Sequence, residues 1–462
     1  MSLKTRQEAS QEKTLLIKNI DALVDLSAPE GYVRKASLLI RGNRIAKIYK
    51  DSFTRVKADK TIDGRGKIAL PGFINTHHHL YQTLTRAYAP AMNVGLFDWL
   101  LKLYPVWAKM DEEAIYWSSL AGMAELMLSG CTLTTDHHYV FSKSLKKCID
   151  IQIEAAREIG IRFQPCRGSM SLGKSRGGLP PDEITQSDAA ILKDSERLIT
   201  TYHDASFGAM TRIALAPCSP FSVTRELMQH TAMLAKQHNV RLHTHLAETQ
   251  DEARFCQEKF GCSPLEYIEG LGWSFSNTWL AHGVYFDSGE IARMSRAGLS
   301  IAHCPTSNMR LGSGVAKVLE LRERGVHVGL AVDGSASNDS SNMLTEVKQA
   351  LLLQRVIHGP SAITPKEAIE LATIGSAKCL GRDDVGLLEE SLAADIALFD
   401  LETLSYSGAH DPLGALVLCG PTTVHTLIVN GKIVIKNHEL VTVDVEKIVR
   451  KHRAAAAKLL KA

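Results

Sequence analysis

A chain of 462 residues, 45% of them hydrophobic, can bury a large core, and a formal net charge of +3 gives no electrostatic handle for nucleic acid or an anionic membrane. Nine cysteines, an odd number at irregular spacing, do not make a disulfide framework and fit a reducing compartment. No apolar run nears the roughly 20 residues of a membrane span, so the expectation is a soluble, cytoplasmic protein with neither a nucleic-acid nor a membrane partner.

The opening "MSLKTRQEASQEK" is polar and lacks the apolar centre of a signal peptide. The first folded stretch is β-rich, in "TLLIKNIDALV" and "ASLLIRGNRIAKIYK", with Gly42-Asn43 as a turn signal. The same texture returns in "AADIALFDLE" and "VHTLIVNGKIVIKN", where Asn430-Gly431 marks a hairpin. The two ends are therefore expected to build one small β-sandwich from residues 1–68 and 389–441, followed by a C-terminal helix over 442–462.

Between residues 69 and 388 short apolar runs alternate with helical patterns. The runs are "ALPGFINTH", "CTLTTDHH", "IRFQPCRG", "RIALAPC", "VRLHTHLAE", "TWLAHGV", "LSIAHCP" and "VHVGLAVDG". Strand–helix alternation predicts an α/β fold with a parallel sheet. Eight such units close a (β/α)8 TIM-type barrel, whose active site belongs at the C-terminal strand ends. No GxGxxG follows any strand, which argues against a dinucleotide-binding open sheet.

Those strand ends carry the chemistry. In "NTHHHLYQTL" a strand would put His77 and His79 on one face, about 6.5–7 Å apart at Cα, with His78 facing the other way. His243 and His245 end the fifth run, His282 the sixth, His303 the seventh and Asp333 the eighth. Burying so many polar groups is costly unless they have partners, and one divalent metal ion is the economical partner. His245 lies nearer the barrel mouth than His243 and is the better ligand. Glu248, three residues on, reaches the loop where bound substrate could exchange a proton. Serine-hydrolase elbows, HExxH helices and the cytidine-deaminase signature are absent.

In their order and spacing, "PGFINTHHH", "HTHLAE", "LAHGV" and "VDGSASND" resemble the amidohydrolase superfamily, and the resemblance spans nearly the whole chain. More narrowly, "HHHLYQTLTRA", "YPVWA", "APCSPFSV" and "AHCPTSNMRL" are similar to the mononuclear deaminases of purines, pterins and related heterocycles. This resemblance implies one divalent ion per chain, Zn²⁺ first and Fe²⁺ second, held by His77, His79, His245 and Asp333. It implies that Glu248, His282 and Asp333 handle protons. Some superfamily members bind two metals through a carboxylated strand-end lysine. Here Lys143, Lys146 and Lys174 fall in loop or helix contexts, which favours one metal.

The implied activity is hydrolytic deamination of an amino-substituted oxidised purine, with 8-oxoguanine first. Isoxanthopterin, guanine, cytosine and hydroxy-triazines are the alternative substrates, and a catalytically silent scaffold is the alternative of a different class. The expected partners are a small heterocyclic substrate and further copies of the chain in a homo-oligomer. Gln82, Trp107 and Cys218 are the pocket residues: an amide to read ring edges, an aromatic to stack, and a small neutral wall where several relatives have a cation. Arg167 and Arg310 are read as ion-paired near the rim, and His137 and His138 as packing residues.

Overall fold

The computed structural model describes residues 13–50, 55–142, 145–420 and 422–461; the N-terminal stretch through residue 12 and Lys143 lie outside the described residues. Eight strands run parallel in the order of the chain: β6 (Phe73–Asn75), β7 (Cys131–His138), β8 (Arg162–Ser169), β9 (Ala214–Pro217), β10 (Arg241–Leu246), β11 (Thr278–His282), β12 (Ser300–His303) and β13 (His327–Leu330). Each next-neighbour pairing needs a crossover, and helices supply it, for example Glu112–Leu128 between β6 and β7 and Arg225–His238 between β9 and β10. The seam closes through Thr76 N donating to Leu330 O at 3.1 Å and Asp333 N to His77 O at 3.2 Å. This is the (β/α)8 barrel expected from the alternation.

The sequence pattern had the first strand running through the histidines, but β6 stops at Asn75. The Asn75 side chain bonds both neighbours, donating to Thr134 Oγ1 at 3.0 Å and accepting from Val332 N at 3.0 Å. That clamp replaces the strand ladder, and the chain peels away into the mouth before a 3₁₀ turn at Leu80–Thr85.

Both chain ends feed one further sheet. Its strands are β1 (Thr14–Val24), β2 (Tyr32–Arg41), β3 (Arg44–Tyr49), β4 (Lys60–Asp63) and β5 (Lys67–Pro71) before the barrel. After it come β14 (Ile396–Asp400), β15 (Thr426–Val429), β16 (Lys432–Lys436) and β17 (Glu439–Leu440). The hydrogen-bonded order is β17-β16-β15-β14-β5-β1-β2-β3, with β4 beside β1, so the halves join where β14 pairs antiparallel with β5. Ile17, Ile20, Leu38, Ile45, Ile396 and Leu398 form its own apolar core. A buried ion pair ties this sheet to the barrel. Arg162 on β8 forks onto Asp395 at 3.0 and 2.8 Å, and Asp395 also accepts from Asn430 N at 2.7 Å. The terminal helix Val445–Lys461 reaches the 3₁₀ turn, where His452 Nε2 lies 3.0 Å from Thr83 Oγ1.

Candidate active site

At the C-terminal mouth of the barrel, three imidazoles and one carboxylate turn toward a common point. The hydrogen bonds behind them fix where the ring protons are. His243 Nδ1 faces the carbonyl of Trp279 at 3.0 Å and must donate to it, which leaves its Nε2 to accept from His77 Nδ1 at 2.7 Å. His79 Nδ1 donates to the His137 carbonyl at 2.7 Å, and His245 Nδ1 to the Cys218 carbonyl at 2.7 Å. All three rings therefore present an unprotonated Nε2 inward. Burial keeps them neutral by driving the pKa of His77, His79 and His245 below the ordinary imidazole range.

The inward nitrogens crowd each other. His79 Nε2 and His245 Nε2 are 3.1 Å apart, and Asp333 Oδ1 is 3.3 Å from His77 Nε2 and 3.4 Å from His79 Nε2. Two lone pairs at that distance repel, and His77 Nε2 is buried without a hydrogen bond. A cation among them removes both penalties. The donors are three neutral imidazoles and a carboxylate, and they fit a single zinc ion. His77, His79, His137 and His245 also lie within 4.8 Å of one another by their nearest ring nitrogens. His137, however, is held by a bond from Nε2 to the Ala216 carbonyl at 2.8 Å, and its own carbonyl orients His79.

Asp333 remains ionised although burial opposes its charge. The imidazoles of His77, His282 and His79 around it outweigh that burial and hold the carboxyl well below its usual range. Its Oδ2 accepts from Ser307 Oγ at 2.5 Å and from Ser337 Oγ at 3.3 Å, so Oδ1 is the oxygen that faces the imidazoles.

Glu248 and His282 form a second pair beside this cluster, with Glu248 Oε2 3.4 Å from His282 Nε2. Burial raises the Glu248 carboxyl to about 7, so it can hold or release a proton near neutrality. Burial also works against charge on His282, but Glu248, Asp333 and a 3.0 Å bond from Nδ1 to Asn308 Oδ1 raise its pKa above the ordinary value. His282 and Asp333 both sit in the left-handed region, at φ 74° and 62°, as does Ala247 at φ 54° just before Glu248. Such backbone is costly for residues with a Cβ and clusters where function requires a particular aim.

One cavity adjoins these groups, His77 excepted. Its wall includes Gln82, Trp99, Tyr104, Tyr139, Cys218 and Phe221 alongside His79, His245, Glu248, His282 and Asp333. Neither amide atom of Gln82 has a well-formed hydrogen bond to protein, and a Cβ on Gly334 would fall 1.9 Å from Gln82 Oε1, so glycine is what lets this amide sit there. Cys218 lines the wall as a neutral thiol, pushed up to about 12 by burial. Trp107 does not reach the cavity. Its indole donates to Thr85 Oγ1 at 3.1 Å and packs edge-on against Tyr81, Trp99 and Tyr104. Tyr104, one helical turn earlier in "YPVWA", takes the wall position, with its hydroxyl buried and unpaired.

Several supporting residues were missed in the sequence. Glu252 accepts the backbone N–H groups of Ala247 at 3.1 Å and Glu248 at 2.9 Å, which pins the loop carrying Glu248. Its only sequence signal is an acid four residues after Glu248, next to Asp251. Ser307 and Asn308, in "HCPTSNMR", seat Asp333 and His282 from one short helix, Pro305–Arg310. Arg167 is fully buried, paired with Asp194 at 2.9 Å and stacked 4.0 Å over Phe141, so it is no rim residue. Arg310 pairs with Asp339 at 2.7 Å. His138 is buried and bonds the Val140 carbonyl, and His303 is buried without a ring partner among the described residues.

Known proteins resemble this chain over most of its length. The model of the amidohydrolase family matches residues 68–434. The chain is 50% identical over 398 residues to 8-oxoguanine deaminase from Pseudomonas aeruginosa, covering 86% of this chain and 89% of that one. It is 38% identical over 401 residues to hydroxydechloroatrazine ethylaminohydrolase from Pseudomonas sp. (strain ADP), covering 85% of this chain and 82% of that one. Among solved structures, the zinc complex of atrazine chlorohydrolase from Arthrobacter aurescens superposes with a TM-score of 0.92 at 35% identity, covering 96% of this chain and all of that one. With a closed parallel barrel, a convergent histidine–aspartate cluster and a family match over most of its length, the chain belongs to the amidohydrolase family.

Proposed function

We propose that the protein hydrolyses the exocyclic amine of an oxidised purine, converting 8-oxoguanine and water to urate and ammonia. The observation that carries the chemistry is the convergence of three inward-facing Nε2 atoms and Asp333 Oδ1 beside the buried carboxyl of Glu248, which burial raises to about 7. His77, His79, His245 and Asp333 would hold one zinc ion, which when bound lowers the pKa of a water toward ~7 and so makes hydroxide available at neutral pH.

The chain's own groups do the rest. The ring lies in the cavity against Tyr104 and Phe221, with Gln82 reading its carbonyl and N–H edge. Asp333 Oδ1, the oxygen free of the two serine bonds, takes a proton from the attacking water. His282 is held by Asn308, and its Nε2–H stabilises negative charge next to Glu248. Glu248 delivers its proton to the ring nitrogen beside the amino-bearing carbon, and a carbon–oxygen bond forms there. The carbon–nitrogen bond then breaks, the amine leaves as ammonia with the proton that Asp333 took from water, and the added hydroxyl returns its remaining proton to Glu248 as it becomes the product carbonyl.

The choice of ring leans on the likeness to the Pseudomonas aeruginosa enzyme, and on a cavity wall without a cation at Cys218. A flat neutral base suits that wall better than a nucleoside. Kinetics of zinc-loaded protein on 8-oxoguanine, isoxanthopterin, hydroxy-triazines and adenosine test it, with 8-oxoguanine expected to give the highest kcat/KM. Adenosine as the best substrate would sink the pocket assignment, whereas isoxanthopterin or a hydroxy-triazine would replace only the substrate.

A homo-oligomer is also part of this reading. Leu352, Val356 and Ile357 leave an apolar stripe exposed on the helix Met343–His358, a surface suited to a second copy. Light scattering that reads a monomer would remove it. The free cysteines fit the cytoplasm, and no helix among the described residues is long and apolar enough to cross a membrane.

A further inference from the structure

The opposite end of the barrel holds a second polar cavity, of about 500 Å³, where the strands begin. Arg241 is the first residue of β10, Arg212 precedes β9, and Lys378 lies on the helix Ser376–Cys379 beneath the barrel. All three line this cavity, and none makes an ion pair among the described residues. Of the carboxylates around it, Asp384 grips Arg382 at 2.7 Å, and Asp383 lies at the exposed edge and ion-pairs with none of the three.

The arginines are fixed rather than loose. Arg241 donates from Nη2 to the Cys379 carbonyl at 2.7 Å and sits 5.6 Å from the Trp279 ring centroid. Arg212 donates from Nη1 to the Gly381 carbonyl at 3.2 Å and from Nη2 to the Ala205 carbonyl at 3.3 Å. Each keeps a buried Nε–H with no acceptor in the protein. His203 accepts from Ile213 N at 3.1 Å through Nδ1, so its remaining proton is on Nε2, a further donor on the same wall. Burial lowers the pKa of Arg241 to about 10, the mark of a guanidinium whose charge is poorly compensated.

Holding the Arg212 and Arg241 guanidinium groups unpaired in a partly dehydrated cavity is unfavourable unless an anion meets them. Two guanidinium N–H groups, an ammonium and an imidazole N–H, approaching from separate elements, suit a tetrahedral dianion better than a planar carboxylate, which one guanidinium fork satisfies. The volume falls in the range of small-molecule sites, ~300–1,000 Å³, and exceeds what a bare ion needs. Gln164 Oε1, buried without a donor, and Asp383 at the exposed edge supply acceptors for a hydroxyl group beside the anion.

We infer that this cavity is a binding site for the phosphate group of a small phosphorylated, hydroxyl-bearing molecule, separate from the catalytic mouth. Isothermal titration of the zinc-loaded full chain at constant ionic strength tests it, with inorganic phosphate, pyrophosphate and ribose 5-phosphate as probes. Saturable binding at one site per chain is expected, tightest for ribose 5-phosphate; pyrophosphate binding more tightly would keep the phosphate site but remove the role of Gln164 and Asp383. Lys378→Gln and Arg212→Gln should each weaken binding by about tenfold or more, the loss of one charge-assisted contact. Deaminase kcat should stay unchanged, because neither residue touches the catalytic cavity. Lys378 is exposed and its substitution leaves the core intact, so that variant decides the matter if Arg212→Gln fails to fold. No saturable heat with any probe, or parental affinity in Lys378→Gln, overturns the site.

Discussion

Single residues in this site are defined by which of their atoms is left over after the supporting bonds are made. His245 spends Nδ1 on the Cys218 carbonyl, so only Nε2 faces the cluster. His245→Ala should lose bound zinc and activity together, read by elemental analysis and ammonia release. A variant that kept its metal would make His243 or His137 the ligand instead. Glu248→Gln keeps the shape of the side chain and removes the transferable proton. Metal content should then be unchanged and kcat should fall by about 10²–10⁴-fold, the usual contribution of a general acid or base. A near-native rate would move the proton traffic to another group. At this scale the sequence was informative where chemistry repeats, as in the histidines of "HTHLAE", because two residues on one strand face differ in depth and His245 lies nearer the mouth than His243. It misled at Trp107. A residue's side of a helix follows from packing against Tyr81 and Trp99, which come from other segments, and Tyr104 one turn away took the cavity wall.

The elements deliver these residues by leaving regular structure at defined points. β6 ends at Asn75 and the chain enters the mouth irregularly, while β11 ends in a left-handed His282 and β13 is followed by a left-handed Asp333. The eight strands were legible as apolar runs ending in polar groups. The irregular exits were not, since the Asn75 clamp depends on Thr134 and Val332 far along the chain. The order of the terminal sheet was equally hidden, because hairpin signals give neighbours within each half and not the β5–β14 pairing that joins them. One exit can be tested directly. Gly334→Ala puts a methyl where the Gln82 amide oxygen now sits, so Gln82 must leave its place on the wall. We expect full zinc content with kcat/KM lowered by about 10–100-fold, the cost of a mispaired polar contact in a buried site. Unaltered kinetics in a folded, zinc-loaded Gly334→Ala would show that Gln82 does not read the ring.

Across the whole molecule, the barrel and the terminal sheet are held in register by Arg162 and Asp395, both buried. Asp395→Ala leaves the guanidinium without its counter-charge and Asn430 N without its acceptor. Removing one member of such a pair costs about 3–5 kcal/mol, and a clear fall in the thermal midpoint of the zinc-loaded protein is expected. An unchanged midpoint would mean that the two parts are fastened elsewhere. Nothing in the local pattern around "IRFQPCRG" signalled this pair, whose members lie 233 residues apart.

We propose that one zinc ion in the His77, His79, His245 and Asp333 cluster makes this chain a deaminase. Titrating zinc into chelator-stripped protein while following ammonia release from 8-oxoguanine tests it most directly. No activity is expected at the start, then a linear return and a sharp plateau at one equivalent per chain. A break at two equivalents, or full activity before any zinc is added, would contradict it.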